Sequence, residues 1–419
     1  MSGLRVLVVG ASIAGPATAY WLARAGATVT VIERFKDLRT NGQAVDIRSV
    51  GVAVMRKIPG MEAAVRAKPV PIDGLRFIGP NGRPYATINR TGNPDEQSLV
   101  SEYEILRGDL SRILFDLAKN NERIKYVFDE QVVSIQENGH NDGPVTVEFL
   151  NGSPTAEFDL VVACDGATSR TRALGLGCNV RDYMKPTNCW AAYLSTKPDL
   201  LGKSTQGHAY SAPGGRWVAI GFNPAGGNLA TFMKYSVGAE NETMGPFREA
   251  LKRGNDAVKE YVSTTYQGAG WMCDEIIQGM MDTDDFYATE IVKIQLPSLY
   301  KGRFVLVGDA GYAGAAGAGT SLALAGAYVL AGEIKRHQSD LTAGLKAYND
   351  RMRPIIDDLQ ATPPLLHTIL APQTAWGIRV RNAVFGFVCW SGVIQLAHRL
   401  FAGVFSGADK YKLPDYERD

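Results

Sequence analysis

The start of the chain alternates between apolar and polar stretches in a pattern typical of one strand–helix–strand unit. Residues 4–9 (LRVLVV) predict a strand buried on both faces. A glycine-containing turn follows, then a helical stretch at 17–24 and a second strand at 28–32. Strands that alternate with helices in this way indicate a parallel sheet, so the pattern predicts an α/β protein.

Two further apolar runs, at 158–164 and 302–308, each end in a glycine and an aspartate before a new helix, and another helix is expected at 109–119. The segments 69–100 and 181–283 differ, because turn residues separate short, aromatic-rich runs typical of an antiparallel sheet. We therefore expect a discontinuous cofactor domain (1–68, 101–180 and 284–350), an inserted substrate domain (69–100 and 181–283) and a helical C-terminal region (351–419). The chain should return to the cofactor domain at 284–299.

Composition narrows the classes of protein that remain. The chain has 419 residues with 45% hydrophobic and 21% charged residues, which excludes a disordered chain and favours two domains. A net charge of +1 gives no general attraction to nucleic acid. The five cysteines form no CxxC pair, which argues against a disulfide framework and a metal site and favours a reducing compartment.

Targeting and membrane segments are not expected. The apolar N-terminus lacks a basic region and a cleavage site, so it is interpreted as a strand. The apolar stretch 384–397 is shorter than the roughly 20 residues of a membrane-spanning helix. We expect it to be a buried or interfacial helix, and we expect a cytoplasmic protein without a membrane span.

The first glycine-containing turn predicts a dinucleotide site. Gly10 permits a tight turn, Gly15 lets the following helix pack closely on the strand, and the helix N-terminus offers N–H groups to a pyrophosphate. Glu33 ends the second strand and can accept hydrogen bonds from a ribose, which favours FAD or NAD over NADP. Ser12 replaces the usual middle glycine, and the alternative is that Gly10 and Gly15 are simple turn and cap glycines.

Three motifs follow in order along the chain. The first, Glu104-Ile-Leu-Arg107, opens a helix, and the second is the Asp165-Gly166 turn. The third, Gly308-Asp309-Ala310, precedes a glycine-rich segment ending in Gly319-Thr320. Glycines before a helix at the carboxyl end of a parallel strand can form a second site with donated N–H groups.

Together these motifs resemble the para-hydroxybenzoate hydroxylase family of FAD-dependent monooxygenases, in particular the branch with tetracycline-inactivating and polyketide-tailoring enzymes. The resemblance covers roughly residues 3–355. It implies a Rossmann-like FAD-binding domain with an inserted antiparallel-sheet domain that covers the substrate. Aromatic side chains of that sheet would then line the cavity, with ordinary core packing as the alternative: Tyr193, Tyr210, Trp217, Phe222, Phe232 and Tyr235.

The resemblance also implies roles for individual residues. Gly10, Ser12 and Gly15 would lie under the pyrophosphate, and Glu33 would hold the adenosine ribose. Arg107 would contact the phosphate or ribitol region of FAD, and Asp309 would form a hydrogen bond with the ribitol. Asp46 matches an aspartate near the flavin, Arg39 lies near a basic position proposed to meet the nicotinamide, and Asp165 would serve both cofactors. For Arg107 and Asp165 the alternative is helix capping and an ion pair, and for Arg39 it is a solvated loop cation. The expected cofactor-binding residues are Gly10, Ala11, Ser12, Ala14, Gly15, Glu33, Arg34, Arg39, Asp46, Arg107, Asp165, Asp309, Ala310, Gly317, Gly319 and Thr320.

The loop after Tyr312 departs from the family pattern. Residues 313–319 lack the usual prolines and the loop is about two residues shorter than the family expects, and extra glycine raises the entropy cost of ordering it. Since this loop runs along the flavin ring in the family, the departure bears on oxygen chemistry more than on FAD binding. We expect the loop to be mobile until flavin binds.

The leading hypothesis is a monooxygenase that binds FAD, is reduced by NADPH or NADH and inserts one oxygen atom from O₂ into an aromatic or polycyclic molecule. No single residue is identified as catalytic, because the cofactor carries the chemistry. The alternative is a cyclase or isomerase that retains FAD without activating oxygen. A flavoprotein that only binds or transfers electrons is a weaker third hypothesis, and the oligomeric state stays open.

Overall fold

The structure is a computed structural model that describes residues 3–39, 43–93, 100–137, 143–315, 317–361, 369–391 and 411–416. Within these residues, two large sheets account for most of the strands, and smaller sheets and helices pack around them. The prediction of an α/β fold is confirmed.

A six-stranded sheet forms the first layer. Its strands, in spatial order, are β17 (Tyr300–Lys301), β18 (Phe304–Leu306), β11 (Leu160–Ala163), β1 (Arg5–Val9), β2 (Thr28–Glu33) and β7 (Ile124–Phe128). All neighbouring strands are parallel except β17 and β18. Val6 and Val8 face one apolar cluster, and Leu7 and Val9 face another, so the sheet is buried on both sides as the unbroken apolar run predicts.

Helices cover one face of this sheet and small sheets surround it. The helices of this part are α1 (Ala14–Arg24), α2 (Val50–Lys57), α3 (Met61–Arg66), α4 (Arg107–Ala118), α5 (Arg170–Leu176), α9 (Asp309–Tyr312), α10 (Gly319–Arg336) and α11 (Leu341–Gln360). A three-stranded sheet contains β8 (Val132–Glu137), β9 (Val145–Phe149) and β10 (Ala156–Phe158). A two-stranded ribbon pairs β3 (Ala44–Asp46) with β6 (Glu104–Leu106).

The second layer is a seven-stranded sheet. Its spatial order is β16 (Phe286–Ile294), β12 (Met184–Thr196), β15 (Asn228–Tyr235), β14 (Arg216–Phe222), β13 (Gln206–Ala212), β4 (Gly74–Ile78) and β5 (Pro84–Asn89). The pairing is antiparallel throughout except between β13 and β4, which are parallel. Three helices pack on one face: α6 (Glu240–Arg253), α7 (Asn255–Tyr266) and α8 (Cys273–Met281).

Two expectations about this layer need correction. The chain was expected to leave the substrate domain at 284, but β16 still pairs with β12 from Met184 to Leu194, so this segment belongs to the seven-stranded sheet. The long β12 provides the pairing edge that holds β16 there. The helices between 240 and 281 were not foreseen, and Tyr210 and Phe232 pack against them in the core, which is the alternative that the sequence left open.

The C-terminal region, expected to be helical over 351–419, contains the end of α11 and one further long helix, whereas residues 411–416 form no helix. Helix α12 (Ala375–Trp390) packs on β5, with Phe385 against Phe77 and Tyr85. The stretch 384–397 was expected to be a buried or an interfacial helix. In its first part, Phe387 is 64% and Trp390 is 82% exposed, because the opposite side of α12 packs on the sheet. The expectation of a buried helix is therefore wrong for this part. Residues 392–397 lie outside the described chain. Within the part that is described, no helix combines the length and apolarity that crossing a bilayer would take.

Candidate functional site

The turn between β1 and α1 allows a very close approach of backbone segments. Gly10 has a φ of +106°, and a Cβ atom there would lie 2.8 Å from the carbonyl oxygen of Cys164 on the neighbouring strand. A Cβ atom at Gly15 would lie 1.7 Å from the carbonyl oxygen of Gly10. Neither position therefore tolerates a side chain, and both glycines are required by the packing of the strand, turn and helix rather than by turn propensity alone.

Glu33 holds this turn in place. One carboxylate oxygen accepts a hydrogen bond from the backbone N–H of Ala11 at 2.8 Å, and the other accepts from the N–H of Phe35 at 3.2 Å. From the opposite side, the Ser111 hydroxyl donates to the carbonyl oxygen of Ser12 at 3.3 Å. The end of β2 and the start of α4 thus fix the turn, which leaves the N-terminus of α1 in a defined position.

Asp309 lies beside this turn, and the partly exposed surface that it forms with Arg107, Gly317 and Gly319 is called the cleft below. A Cβ atom at Gly308 would lie 2.8 Å from Cβ of Ala14, so α9 starts directly against α1. Protein surrounds the Asp309 carboxylate, which raises its pKa, and the nearby charge of Arg107 lowers that pKa in part. Asp309 is nevertheless solvent-exposed, so a ligand bound in the cleft can reach it.

Arg107 completes the charged part of the cleft. Its backbone N–H donates to the carbonyl oxygen of Gln43 at 3.0 Å, which fixes the start of α4. Its half-buried guanidinium has no hydrogen-bond or ion-pair partner among the described residues. Asp309 likewise accepts no side-chain hydrogen bond from them. A carboxylate and a cation with unused hydrogen-bonding capacity fit the hydroxyl and phosphate groups of FAD.

The glycine-rich segment after α9 closes the same cleft. Gly317 has a φ of +69°, and α10 begins at Gly319 with Thr320 in its first turn. A Cβ atom at Gly319 would lie 3.5 Å from Oδ1 of Asp309. The expected residues of α1, α4, α9 and α10 are therefore brought together, as the order of the motifs predicts. Ala316 lies outside the described residues.

Asp165 has a different environment. One carboxylate oxygen accepts a hydrogen bond from the Ser169 hydroxyl, and the other accepts from the backbone N–H and the hydroxyl of Thr171, at 3.1 and 2.9 Å. These contacts hold the turn before α5, and Ser169 caps that helix by accepting from the N–H of Arg172. The geometry supports the alternative of a capping carboxylate, and a cofactor contact of Asp165 stays a prediction.

Two arginines after β2 lie over aromatic rings. The Arg34 guanidinium lies 4.7 Å from the centre of the Phe35 ring. Arg39 lies 5.4 Å from the same ring and 5.2 Å from the ring of Tyr287 on β16. Arg39 therefore bridges the end of the six-stranded sheet to the seven-stranded sheet, which a solvated loop cation would not do.

Asp46 is paired with a neighbouring arginine. Nε and a terminal nitrogen of Arg48 donate to one Asp46 oxygen at 3.0 and 2.8 Å. The backbone N–H of Arg48 donates to the Ser321 hydroxyl at 2.8 Å. The segment after β3 is thereby attached to the first turn of α10, close to Gly319.

Two positioning residues were missed in the sequence. Arg172 is fully buried, and it donates to the carbonyl oxygen of Ala310 at 2.9 Å, which ties α5 to α9. The Gln360 amide donates to the carbonyl oxygens of Tyr312 and Ala313 at 3.0 and 2.8 Å, which anchors the loop after α9. Neither residue belongs to a motif, and only the arginine after the Asp165 turn could have drawn attention, as a cation at the start of a helix.

The residues that the structure describes show neither a metal site nor a disulfide bond. They contain no group of three or more His, Cys, Asp or Glu placed to hold a metal ion. All five cysteines are free, and burial raises the pKa of the Cys189 and Cys273 thiols to about 12, so neither is a ready nucleophile.

Comparison with known proteins agrees with the geometry. Residues 3–361 match the family described as FAD binding domain. The FAD-dependent monooxygenase asL4 of Sarocladium schorii is 31% identical, and the match covers 99% of both chains. The flavin-dependent monooxygenase eupH of a Phoma species is 30% identical, with 99% of this chain and 98% of that protein covered.

A solved structure extends the match to three dimensions. The tetracycline destructase Tet(55) superposes with a TM-score of 0.77 at 28% identity, over 99% of this chain and 100% of that one. This is the branch that the motifs resemble. On the full-length similarity and on the FAD binding domain match, the chain belongs to the family of FAD-dependent monooxygenases.

Proposed function

We propose that this protein binds FAD in the cleft between α1, α4, α9 and α10 and uses NADPH or NADH and O₂ to insert one oxygen atom into an aromatic or polycyclic molecule. The observation that carries the proposal is the pair Arg107 and Asp309, which lie near each other and whose side chains have no hydrogen-bond or ion-pair partner among the described residues. The monooxygenases that match almost the whole chain support the reaction type.

Each part of the cleft suits one part of FAD. The N-terminus of α1 after Gly10 suits the pyrophosphate, and Arg107 adds a positive charge there. Asp309 suits the ribitol hydroxyls, because a carboxylate with free lone pairs accepts their hydrogen bonds. Glu33 already accepts two N–H bonds, but its oxygens retain capacity for a ribose hydroxyl. Bound FAD would supply the redox and oxygen chemistry.

The open face of the seven-stranded sheet suits the substrate. Side chains alternate along β12, so Tyr193 points away from the face that packs on α6, α7 and α8. The Tyr193 and Tyr287 rings stack with centres 6.4 Å apart, and Arg39 lies over Tyr287 at the border with the cofactor cleft. Burial raises the pKa of Tyr193 to about 12, so it stays a neutral phenol that can donate a hydrogen bond. This surface fits a planar ligand with polar edges.

The alternative is an isomerase or cyclase that retains FAD without activating oxygen. The shortened, proline-free loop at 313–319 favours it, because in the family this loop borders the flavin ring. Against it, Gln360 fixes the point where the loop leaves α9, by hydrogen bonds to the carbonyl oxygens of Tyr312, which ends α9, and of Ala313, the first loop residue.

The decisive experiment combines coenzyme consumption with product mass. The purified protein loaded with FAD is given NADPH or NADH and a panel of phenols and polyketides in air. A monooxygenase yields a product one oxygen atom heavier than the substrate and incorporates ¹⁸O from ¹⁸O₂. A product of unchanged mass supports the isomerase. Flavin that stays oxidised with each coenzyme and ligand contradicts the proposal.

A further inference from the structure

The ribbon of β3 and β6 places two carboxylates directly opposite each other. Asp46 pairs with Glu104 in the antiparallel register. The backbone hydrogen bonds flanking them, from Ile47 to Tyr103 and from Arg107 to Gln43, indicate that the Asp46–Glu104 pair is a non-hydrogen-bonded one. Side chains are closest at such positions, and like charges there repel each other.

Of the two carboxyl groups, only Asp46 forms an ion pair with one of the two nearby arginines. Arg48 is bound to Asp46 at 2.8 Å. Arg90, the residue after β5, forms an ion pair with Glu102 at 3.1 Å. Its guanidinium also donates hydrogen bonds to backbone carbonyl oxygens. Glu104 therefore faces Asp46 while both nearby arginines are engaged with other carboxylates.

The protonation of the pair follows from this arrangement. Burial together with the Asp46 charge raises the pKa of Glu104 to about 8, although Arg48 and Arg90 act in the opposite direction. Burial also raises the pKa of Asp46, against the effect of Arg48. With the guanidinium on its side, Asp46 is the member that keeps the charge, and Glu104 holds a proton at neutral pH.

The pair lies where the two large sheets meet. The carbonyl oxygen of Glu104 accepts from the N–H of Val70, and Ile105 bridges to Pro69, in the segment that leads into β4. Arg107, three residues after Glu104, lies close enough to Asp309 for its charge to lower the pKa of that carboxyl group. The Asp46 side chain is 23% exposed and Glu104 is partly exposed, so a ligand between the sheets could reach them.

We propose that the facing carboxyl groups of Asp46 and Glu104 hold one proton between them, carried by Glu104, and that Glu104 is the proton donor of the site. In the step, the O–H bond of Glu104 breaks, its electron pair stays on the carboxylate, and the proton bonds to a substrate oxygen that carries negative charge. Arg48 and Arg90 offset the second negative charge until water returns a proton. The single proton rests on the facing register and the burial of the two carboxyl groups, whereas the donor role rests on the proposed monooxygenase function.

The shared proton is tested by thermal unfolding of Glu104→Gln between pH 5 and 9. In the unfolded chain Glu104 ionises near its ordinary pKa of 4.5, and in the folded chain near 8. The folded state binds the extra proton in this window, so the wild-type folding equilibrium weakens as the pH rises, by at most about tenfold per pH unit. Glutamine cannot ionise, so the variant should match the wild type near pH 5 and become more stable than it towards pH 8.

Glu122→Gln serves as the control for the unfolding measurement. Glu122 is an exposed glutamate, so Glu122→Gln should follow the wild-type pH dependence throughout. A Glu104→Gln protein that is less stable than the wild type at pH 8, or that differs from it by the same amount at each pH, overturns the shared proton. Such a result would mean that Glu104 is an ionised partner of the arginines.

The donor role is tested by flavin titration and by the pH profile of product formation. Glu104→Gln should bind FAD within about twofold of the wild type at pH 7, because it has the shape of the protonated acid, while product formation falls at least about tenfold. Glu104→Asp should recover part of the activity with a shifted profile. An unchanged rate and profile in Glu104→Gln overturns the donor role. Failure of the monooxygenase proposal itself shows as absence of oxygen insertion by the wild type and leaves the unfolding result intact.

Discussion

At the scale of single residues, the two aspartates that follow buried strands show how the same motif can serve two purposes. Asp165 uses both oxygens within its own turn, whereas Asp309 faces the cleft without a side-chain donor from the described residues. The sequence places both at the ends of parallel strands, but it does not show which of them finds local partners. That difference depends on Ser169 and Thr171, whose side chains reach Asp165 in the folded turn.

We expect Asp309→Ala to purify folded but with little flavin. Each hydrogen bond to a charged acceptor contributes about 1.5–3 kcal/mol, so losing one or more should weaken FAD binding by at least about tenfold. Flavin absorbance per chain and titration with FAD measure the effect, and excess FAD should restore part of the activity. A variant with the full flavin content and a lower melting temperature would contradict this assignment.

Asp165→Ala is the matched comparison, and the opposite result is expected. Removing the carboxylate leaves the N–H and hydroxyl of Thr171 without their acceptor, which should lower the stability by about 1–2 kcal/mol. Flavin content per folded chain should stay the same. Loss of flavin without loss of stability would instead support the cofactor contact that the resemblance implies.

At the scale of elements, the local unit β1–turn–α1–β2 could be predicted because its signals lie within one short stretch. The strand, the two glycines and the closing Glu33 follow each other in the order that the packing requires. The seven-stranded sheet could not be predicted in the same detail. Its parallel pairing of β4 with β13 joins segments more than a hundred residues apart, and no local pattern specifies such a register.

The close approach of α1 to the turn gives a prediction about glycine. Gly15→Ala should prevent flavin binding and strongly destabilise the protein, because its Cβ would lie 1.7 Å from a backbone oxygen that cannot move without displacing β1. Gly245, within α6, is the control: apart from its chain neighbours, a Cβ there meets nothing within 4 Å. Gly245→Ala should change the stability by no more than about 1 kcal/mol, because the gain of alanine over glycine is opposed by Pro246, whose ring crowds a Cβ on the preceding residue. Thermal unfolding and flavin content distinguish the two variants, and a stable, flavin-rich Gly15→Ala protein would show that the turn is looser than this packing indicates.

At the scale of the whole molecule, the candidate site forms where distant segments meet. The meeting of α1 and α9 could be predicted from the motifs, since each helix follows a parallel strand and the carboxyl ends of parallel strands meet at one edge of a sheet. Helix α4 follows β6 of the two-stranded ribbon, so only the resemblance implied that it contributes to the same cleft. The meeting of Asp46 with Glu104 depends on the pairing of β3 with β6, and that of Arg39 with Tyr287 depends on how the two large sheets are joined. Residues that are far apart in sequence give no local indication of such contacts.

The C-terminal segment 411–416 packs against the second half of α10. The Tyr416 hydroxyl donates to Glu333 at 2.6 Å, and a Cβ at Gly332 would lie 2.1 Å from the Tyr416 ring. The carbonyl oxygen of Pro414 accepts from Tyr328 at 2.8 Å, and Asp415 is bound to Lys57 of α2 at 3.0 Å. Tyr416 is only 5% exposed, so the segment is part of the core that supports α10.

Two substitutions separate the packing of this ring from its hydrogen bond. Tyr416→Ala should lower the stability by about 3–5 kcal/mol, because it leaves a cavity against Gly332 and removes a donor from the buried Glu333. Tyr416→Phe keeps the ring and should cost only about 1–2 kcal/mol. Since Gly332 lies near the C-terminal end of α10 and Gly319 at its beginning, the flavin content of folded protein should be unchanged in both variants. Equal losses of stability in the two variants would mean that the hydrogen bond of Tyr416, and not the packing of its ring, makes the whole contribution. A loss of flavin in parallel with stability would show that the segment 411–416 transmits strain along α10 to the cleft.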